Sequence, residues 1–261
     1  MSATHYAPPS ISRRSLYVWR RNFLVWRKLA VPSMLGNLAD PTFYMLALGF
    51  GLGALLPEVG GMPYVTFLAA GTICYSTMNT ATFEALYSAF SRMHVQRTWE
   101  SILNAPLSLD DIVTGEVLWA ASKSLLSGAA ILAVVWALGL VDSVLVLWLL
   151  PLALLIGLTF ASLGLVMTTI SPSYDFFMYY FTLGITPMML VCGVFFPVEQ
   201  LPVAIQAVSA VLPLTHAVEI ARPLLTGRAP DELPLHLAVL AGYGAAGFYA
   251  AIVLARRRLL R

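Results

Sequence analysis

Two ionisable side chains, Glu84 and Lys123, stand inside long apolar runs. A charge held at bilayer depth costs roughly 3 kcal/mol or more, so such groups face the interior of a helix bundle, pair with one another, or line a polar path. The two residues lie on either side of the polar stretch 91–112, at comparable distances from it. A hairpin through that stretch therefore predicts that they approach each other, as an ion pair or as a contact for cargo. Around Glu84 the chain is rich in hydroxyl, amide and aromatic groups: Tyr75, Ser76, Thr77, Asn79, Thr80, Thr82 and Tyr87. With Tyr174, Tyr179 and Tyr180 further on, these side chains have the chemistry to line a path for an amphipathic, sugar-bearing molecule. They have equally the chemistry to satisfy backbone groups within a bundle. Tyr75, Asn79, Glu84, Lys123 and Tyr179 are the candidate path residues.

Other reactive groups are sparse and badly spaced for chemistry. Cys74 and Cys192 both sit in apolar runs, with no disulfide or metal pattern. His5, His94, His216 and His236 show no ligand spacing. The chain has no GxxxxGK[ST] loop to hold a nucleotide phosphate, and no HExxH, CxxC or GxSxG. No catalytic residue, cofactor site or metal site is expected on this chain. The glycines Gly49, Gly51 and Gly53 fall inside an apolar run, where Gly49 and Gly53 are expected to form a GxxxG contact face rather than a phosphate loop.

The elements that must position these groups follow from composition. Of 261 residues, 59% are hydrophobic and only 11% charged, against roughly 25% charged in an ordinary soluble domain. Lipid is then the solvent for most of the molecule. A helix crosses a bilayer core in about 20 apolar residues, and six runs qualify: 38–56, 64–90, 113–140, 144–170, 176–196 and 235–255. The expected fold is an all-α integral membrane protein with six transmembrane helices. No cleavable signal peptide is expected, because charges run through the first 28 residues.

Basic residues give the orientation. With the N-terminus inside, Arg13, Arg14, Arg20, Arg21, Arg27, Lys28, Arg92, Arg97, Arg256, Arg257, Arg258 and Arg261 are cytoplasmic, leaving only Arg222 and Arg228 outside. Both termini are expected in the cytoplasm. Before the first run, basic pairs recur every seven residues, and Leu16, Trp19, Phe23 and Trp26 recur at three and four. That pattern predicts an amphipathic helix in the membrane interface, its aromatic face at the acyl boundary and its basic face on anionic headgroups.

Two segments remain. Residues 91–112 form the long polar interruption between the second and third runs, with a short charged helix near Trp99 and Glu100 and with Asp110 and Asp111 placed to cap the third run. Residues 197–234 hold an apolar run too short to span, bracketed by prolines, which predicts a re-entrant hairpin between runs five and six.

WESILNAPLSLDDIVTGEVLWAASKSLL, SPSYDFF and ITPMMLVCGVFFPVEQLPVAIQAVSAVLPLTHAVEIARPL, with NLADP at 37–41 and the terminal RRRLLR, resemble the permease subunits of type-2 ABC exporters, and most of all their nodulation branch. The resemblance covers nearly the whole chain. It implies a permease homodimer working with two copies of a separate ATPase, of the NodI type in that branch, with ATP and Mg on the ATPase alone. It implies an N-terminal connecting helix within residues 1–30 and a six-span domain over 31–261, in the bacterial inner membrane. The loop between spans two and three becomes the coupling segment, at about 92–109, with Arg92, Arg97, Trp99, Glu100, Asp110 and Asp111 as coupling candidates. Phe195, Phe196, Pro197, Glu199 and Gln200 fall at an external gate. The cargo implied is a lipo-oligosaccharide or a similar amphipathic glycolipid, exported at the expense of ATP. An ion-coupled secondary transporter is the alternative, with Glu84 as its single intramembrane carboxylate.

Overall fold

The computed structural model describes residues 3–56, 58–141 and 143–260. For Asn37, Leu38 and Asp40, within the NLADP block, it describes backbone only, and Arg261 of the terminal RRRLLR lies outside the described residues. The architecture is a helix bundle. In chain order the helices are α1 (Ser15–Trp26), α2 (Ala30–Gly51), α3 (Tyr64–Phe83), α4 (Thr98–Leu103), α5 (Leu109–Ala137), α6 (Leu149–Ile170), α7 (Asp175–Tyr180), α8 (Thr186–Val191), α9 (Val203–Ser209), α10 (Pro213–Leu225) and α11 (Leu233–Leu259). A two-residue antiparallel ladder, Glu58–Val59 against Met62–Pro63, turns the chain from α2 into α3.

Among the described residues, three helices are long and apolar enough to cross a membrane: Leu109–Ala137, Val144–Ile170 and Leu233–Leu259. A fourth follows if Val203–Ser209 and Pro213–Leu225, bent by 86° at their junction, count as one broken span. The first, second and fifth expected runs also form helices, but by a different design. Helix α2 carries Pro41 in its interior. Helix α3 is dense in Ser and Thr, and the fifth run is the shorter apolar helix Asp175–Val191.

Several hydroxyls of the bundle tie one helix to another, while others, such as Thr77 on the Ile73 carbonyl, stay within their own helix. Ser76 and Ser127 share a hydrogen bond of 2.9 Å between α3 and α5. Thr168 donates to the Ala85 carbonyl at 2.6 Å, and Thr159 to the Leu240 carbonyl at 3.0 Å, tying α6 to the chain just past α3 and to α11. A Cβ on Gly49 would meet Val65 of α3, and one on Gly53 would run into the Gly49 carbonyl of its own segment and touch Tyr64 of α3 at 3.9 Å, so both glycines of the GxxxG pair lie toward α3.

Helix α3 continues past Phe83 through two π-helical turns, Glu84–Ser88 and Ser91–Val95. Each adds a residue to a turn and re-aims the side chains beyond it, a device frequent at functional sites. Here the turns contain Glu84 and Arg92.

Candidate functional site

Glu84, Arg92, Glu116 and Lys123 form one charged cluster between α3 and α5. Lys123 Nζ lies 2.9 Å from Glu84 Oε2, so the two residues singled out by their place in apolar runs do meet. Arg92 bridges the carboxylates: its Nη2 is 3.0 Å from Glu84 Oε1, and its Nε donates to Glu116 at 2.9 Å. Trp119 donates its indole N–H to Glu84 Oε1 at 2.7 Å, and Ser88 donates to Oε2 at 2.9 Å. Glu84 therefore accepts four hydrogen bonds, which is near the capacity of a carboxylate. Two positive and two negative charges balance, and that balance makes their burial tolerable. Sequence reasoning passed over Glu116, although it stands in the same apolar run as Lys123, three residues from Trp119 and seven from Lys123.

The polar stretch is anchored into this cluster. Arg97 adopts a left-handed backbone (φ 50°) that reverses the chain into α4. Helix α4 then turns Trp99 inward, fully buried, with its indole N–H 3.2 Å from Glu116 Oε1. Of the coupling candidates, Trp99 is thus turned into the bundle rather than presented at the surface. Four of the six coupling candidates face the protein: Arg92 and Trp99 hold Glu116, while Asp110 and Asp111 are buried at the start of α5. Arg97 and Glu100 are exposed.

The two aspartates cap α5, but with division of labour. Ser108 is the N-cap residue and forms a reciprocal capping box with Asp111, a motif that satisfies two orphan N–H groups at once. Asp110 instead receives Arg256 from α11, with Nε at 2.8 Å, and the N–H and Oγ of Ser10 at 2.8 and 3.0 Å. Ser12 reaches Asp111 at 2.6 Å. The N-terminal segment, the head of α5 and the C-terminal helix are thus tied together at one end of the bundle. Arg258 adds a bond to the Thr169 carbonyl at 2.6 Å and contacts His94.

Helix α1 lies against α5 in the same region. Its buried face is Ser15, Val18 and Asn22 rather than the aromatic stripe as a whole. A Cβ on Gly115 would come within 2.5 Å of Val18 Cβ, so glycine there is what permits the approach. The stripe is half-buried beside that contact. Trp26 and Phe23 meet the Trp119 ring edge-on, with centroids at 5.7 and 6.4 Å.

The candidate path residues separate into two groups. From residue 66 to 87 every described side chain is buried except Tyr75, Asn79, Phe83 and Tyr87, spaced by four along one stripe of α3. Tyr75 and Asn79 belong to that stripe, whereas Glu84 and Lys123 point elsewhere, into the charged cluster. Phe83 and Tyr87 stack at 4.4 Å, and Tyr87 meets Phe177 of α7 at 5.3 Å. Tyr179, on α7, is 64% exposed.

At the opposite end, Phe195, Phe196 and Pro197 are half-buried and Glu199 and Gln200 exposed. Tyr64 donates to the Phe195 carbonyl at 3.1 Å, and Arg222 donates to the Gly193 carbonyl at 2.6 Å while its guanidinium stacks 3.9 Å over Phe67. His216 and His236, without ligand spacing in the sequence, pair through Nδ1 at 2.8 Å between α10 and α11.

The model of the ABC-2 type transporter covers residues 13–225. The chain belongs to the ABC-2 type transporter family. It is 50% identical over 244 residues to nodulation protein J of Bradyrhizobium diazoefficiens, covering 94% of this chain and 93% of that one. It is 49% identical over 246 residues to nodulation protein J of Rhizobium leguminosarum bv. viciae, with 94% and 95% covered. At 24% identity over 204 residues, with 77% and 78% covered, it is similar to the inner membrane transport permease YadH of Escherichia coli. As an ABC-2 permease the chain is a transporter component rather than a catalyst, and its family implies an ATPase partner. The resemblance read from WESILNAPLSLDDI onward is therefore confirmed at the level of family.

Proposed function

We propose that this ABC-2 permease is the six-span membrane subunit of an ATP-driven exporter that moves a lipo-oligosaccharide or a similar amphipathic glycolipid out of the cytoplasm or inner leaflet. Residues 1–30 supply the cytoplasmic tail and connecting helix, and 31–261 the transmembrane domain. Both termini are cytoplasmic, in a bacterial inner membrane. Two copies work with two NodI-type ATPases, which carry the ATP and Mg. Segments 197–234 form a re-entrant hairpin near the external gate, a reading supported by the 86° bend between α9 and α10.

One observation carries the reading: α4 is an exposed short helix whose single aromatic side chain is locked to the carboxylate of α5. A push on α4 is then transmitted to α5 directly, and through Arg92 to α3. Coupling through packed, hydrogen-bonded elements of this kind is the physical form that force transmission between sites takes. On this reading Arg97 and Glu100 face the ATPase, while Arg92, Trp99, Asp110 and Asp111 brace the segment. The Tyr75–Asn79 stripe and Tyr179 line the path, and Glu84 and Lys123 support its wall. Because Glu84 is spent on four partners, it is a poor site for a coupling ion, which favours ATP over an ion gradient.

The test is a double substitution, Arg97→Ala with Glu100→Ala, in permease co-expressed with a NodI-type ATPase. The expected result is a normally inserted permease that loses the ATPase or hydrolyses ATP without export. Unchanged stimulated hydrolysis together with unchanged export contradicts the assignment.

A further inference from the structure

A cavity of about 250 Å³ opens between α1, the start of α2 and the charged cluster of α3 and α5. Arg21, Asn22, Glu84 and Lys123 line its polar side, and Val25 and Leu29 its apolar side. Its hydrogen-bonding account does not close. The carboxylates are used up: Glu84 already accepts from Arg92, Trp119, Lys123 and Ser88, and Glu116 behind it from Arg92 and Trp99. The donors are not. Asn22 is 3% exposed, and its Nδ2 has no partner among the described residues. Arg21 reaches only the Asn22 Oδ1 at 2.9 Å and Thr98 Oγ1 at 3.4 Å, with no carboxylate at ion-pair distance among the described residues.

The charges tell the same story. Glu84, Glu116, Arg92 and Lys123 sum to zero, so Arg21 is a half-buried surplus cation. Burial first and then the nearby Arg92 guanidinium hold its pKa below the usual arginine value, with the Glu116 carboxylate acting the other way from beyond ion-pair distance. An anion with several acceptor oxygens supplies what is missing on both accounts, and charge-assisted bonds to arginine are the strong kind. The edge of the cavity adds a second requirement. Val25 and Leu29 are 56% and 64% exposed, so the ligand that covers them is apolar beyond its anionic group.

We propose that this cavity binds the phosphate of a membrane-lipid headgroup, with Arg21 and Asn22 as its ligands and the acyl chains leaving over Val25 and Leu29. The inference rests on the interfacial placement of α1 given above, but its readout needs neither the ATPase nor export, so the two readings fail separately.

The experiment uses the purified full-length chain, delipidated in detergent and titrated with phosphatidylglycerol, with bound lipid counted by native mass spectrometry. Wild type is expected to retain the lipid, and Arg21→Gln to bind it about tenfold or more weakly, the loss of a charge-assisted hydrogen bond. Asn22→Leu keeps the volume, removes the unpaired amide and is expected to weaken binding as well. Arg13→Gln, at an exposed cation just before the same helix, is expected to bind as wild type, which separates a site from general basicity. Millimolar inorganic phosphate is expected to leave the lipid bound. Binding of inorganic phosphate without lipid retention overturns the lipid source. Equal lipid binding by Arg21→Gln and wild type overturns the site.

Discussion

The indole N–H of Trp99 lies 3.2 Å from a carboxylate oxygen of Glu116, joining a six-residue loop helix to the side of a long bundle helix. The ring is fully buried, so this bond has no water to replace it. Trp99→Phe keeps most of the ring and removes the donor. The cost is expected to be about 1–3 kcal/mol, because an acceptor is left short inside the protein. Thermal unfolding of the purified chain should place Trp99→Phe below wild type and Trp99→Ala well below both. A Trp99→Phe protein as stable as wild type would show that the bond holds nothing.

Glu84 and Lys123 are not equal partners. Lys123→Met leaves Glu84 with Arg92, Trp119 and Ser88, whereas Glu84→Gln leaves Lys123 without its carboxylate and Arg92 with Glu116 alone. Removing one member of a buried ion pair costs about 3–5 kcal/mol when the other is left uncompensated. Glu84→Gln should therefore destabilise much more than Lys123→Met. In a double-mutant cycle the Lys123 substitution should matter less once Glu84 is gone. Additive effects would mean that the pair does not interact.

Gly115 sets how closely α1 can lie. A Cβ there falls 2.5 Å from Val18 Cβ and 2.8 Å from the Ser15 carbonyl, so Gly115→Leu is expected to lift α1 off α5. Faster proteolysis after Arg13 and Arg14, with the permease still inserted in the membrane, is the expected signature. Protection equal to wild type would show that α1 is held by something other than this contact.

His94 titrates against a cation. Burial first, and then Arg258 beside it, lower its pKa from 6.5. The unfolded chain therefore takes up its proton before the folded one. The contribution is intact above the ordinary histidine range and is lost as pH falls from that range through the lowered native value. Stability should decline across that window in wild type and decline less in His94→Gln. Parallel pH profiles for the two proteins would remove His94 from the account.

The family, the helical class and the meeting of Glu84 with Lys123 were legible in the sequence, because charges in apolar runs admit few arrangements. The direction of a short loop's side chains was not. Trp99 and Glu100 are adjacent and equally suited to docking; only the reversal at Arg97 turns one inward and leaves the other out. Glu116 escaped notice because Arg92, its partner, sits in the polar stretch and reads there as a surface charge. The histidine pair had no signal at all, since 20 residues separate His216 from His236 and the packing of α10 on α11 alone unites them. Six runs of adequate length were visible, but length hides a difference in design. Helix α3 is polar because it is enclosed, which composition averaged over a run does not reveal.

The central claim is that α4 transmits force because it is braced on Glu116. It is tested most directly by the amount of the proposed lipo-oligosaccharide exported per ATP hydrolysed, in proteoliposomes holding the Trp99→Phe permease with a NodI-type ATPase. The account predicts that the ATPase still binds and hydrolyses ATP while the export ratio falls about tenfold or more, as expected when a hydrogen bond to a charged group is removed. A Trp99→Phe transporter with the wild-type ratio would contradict it.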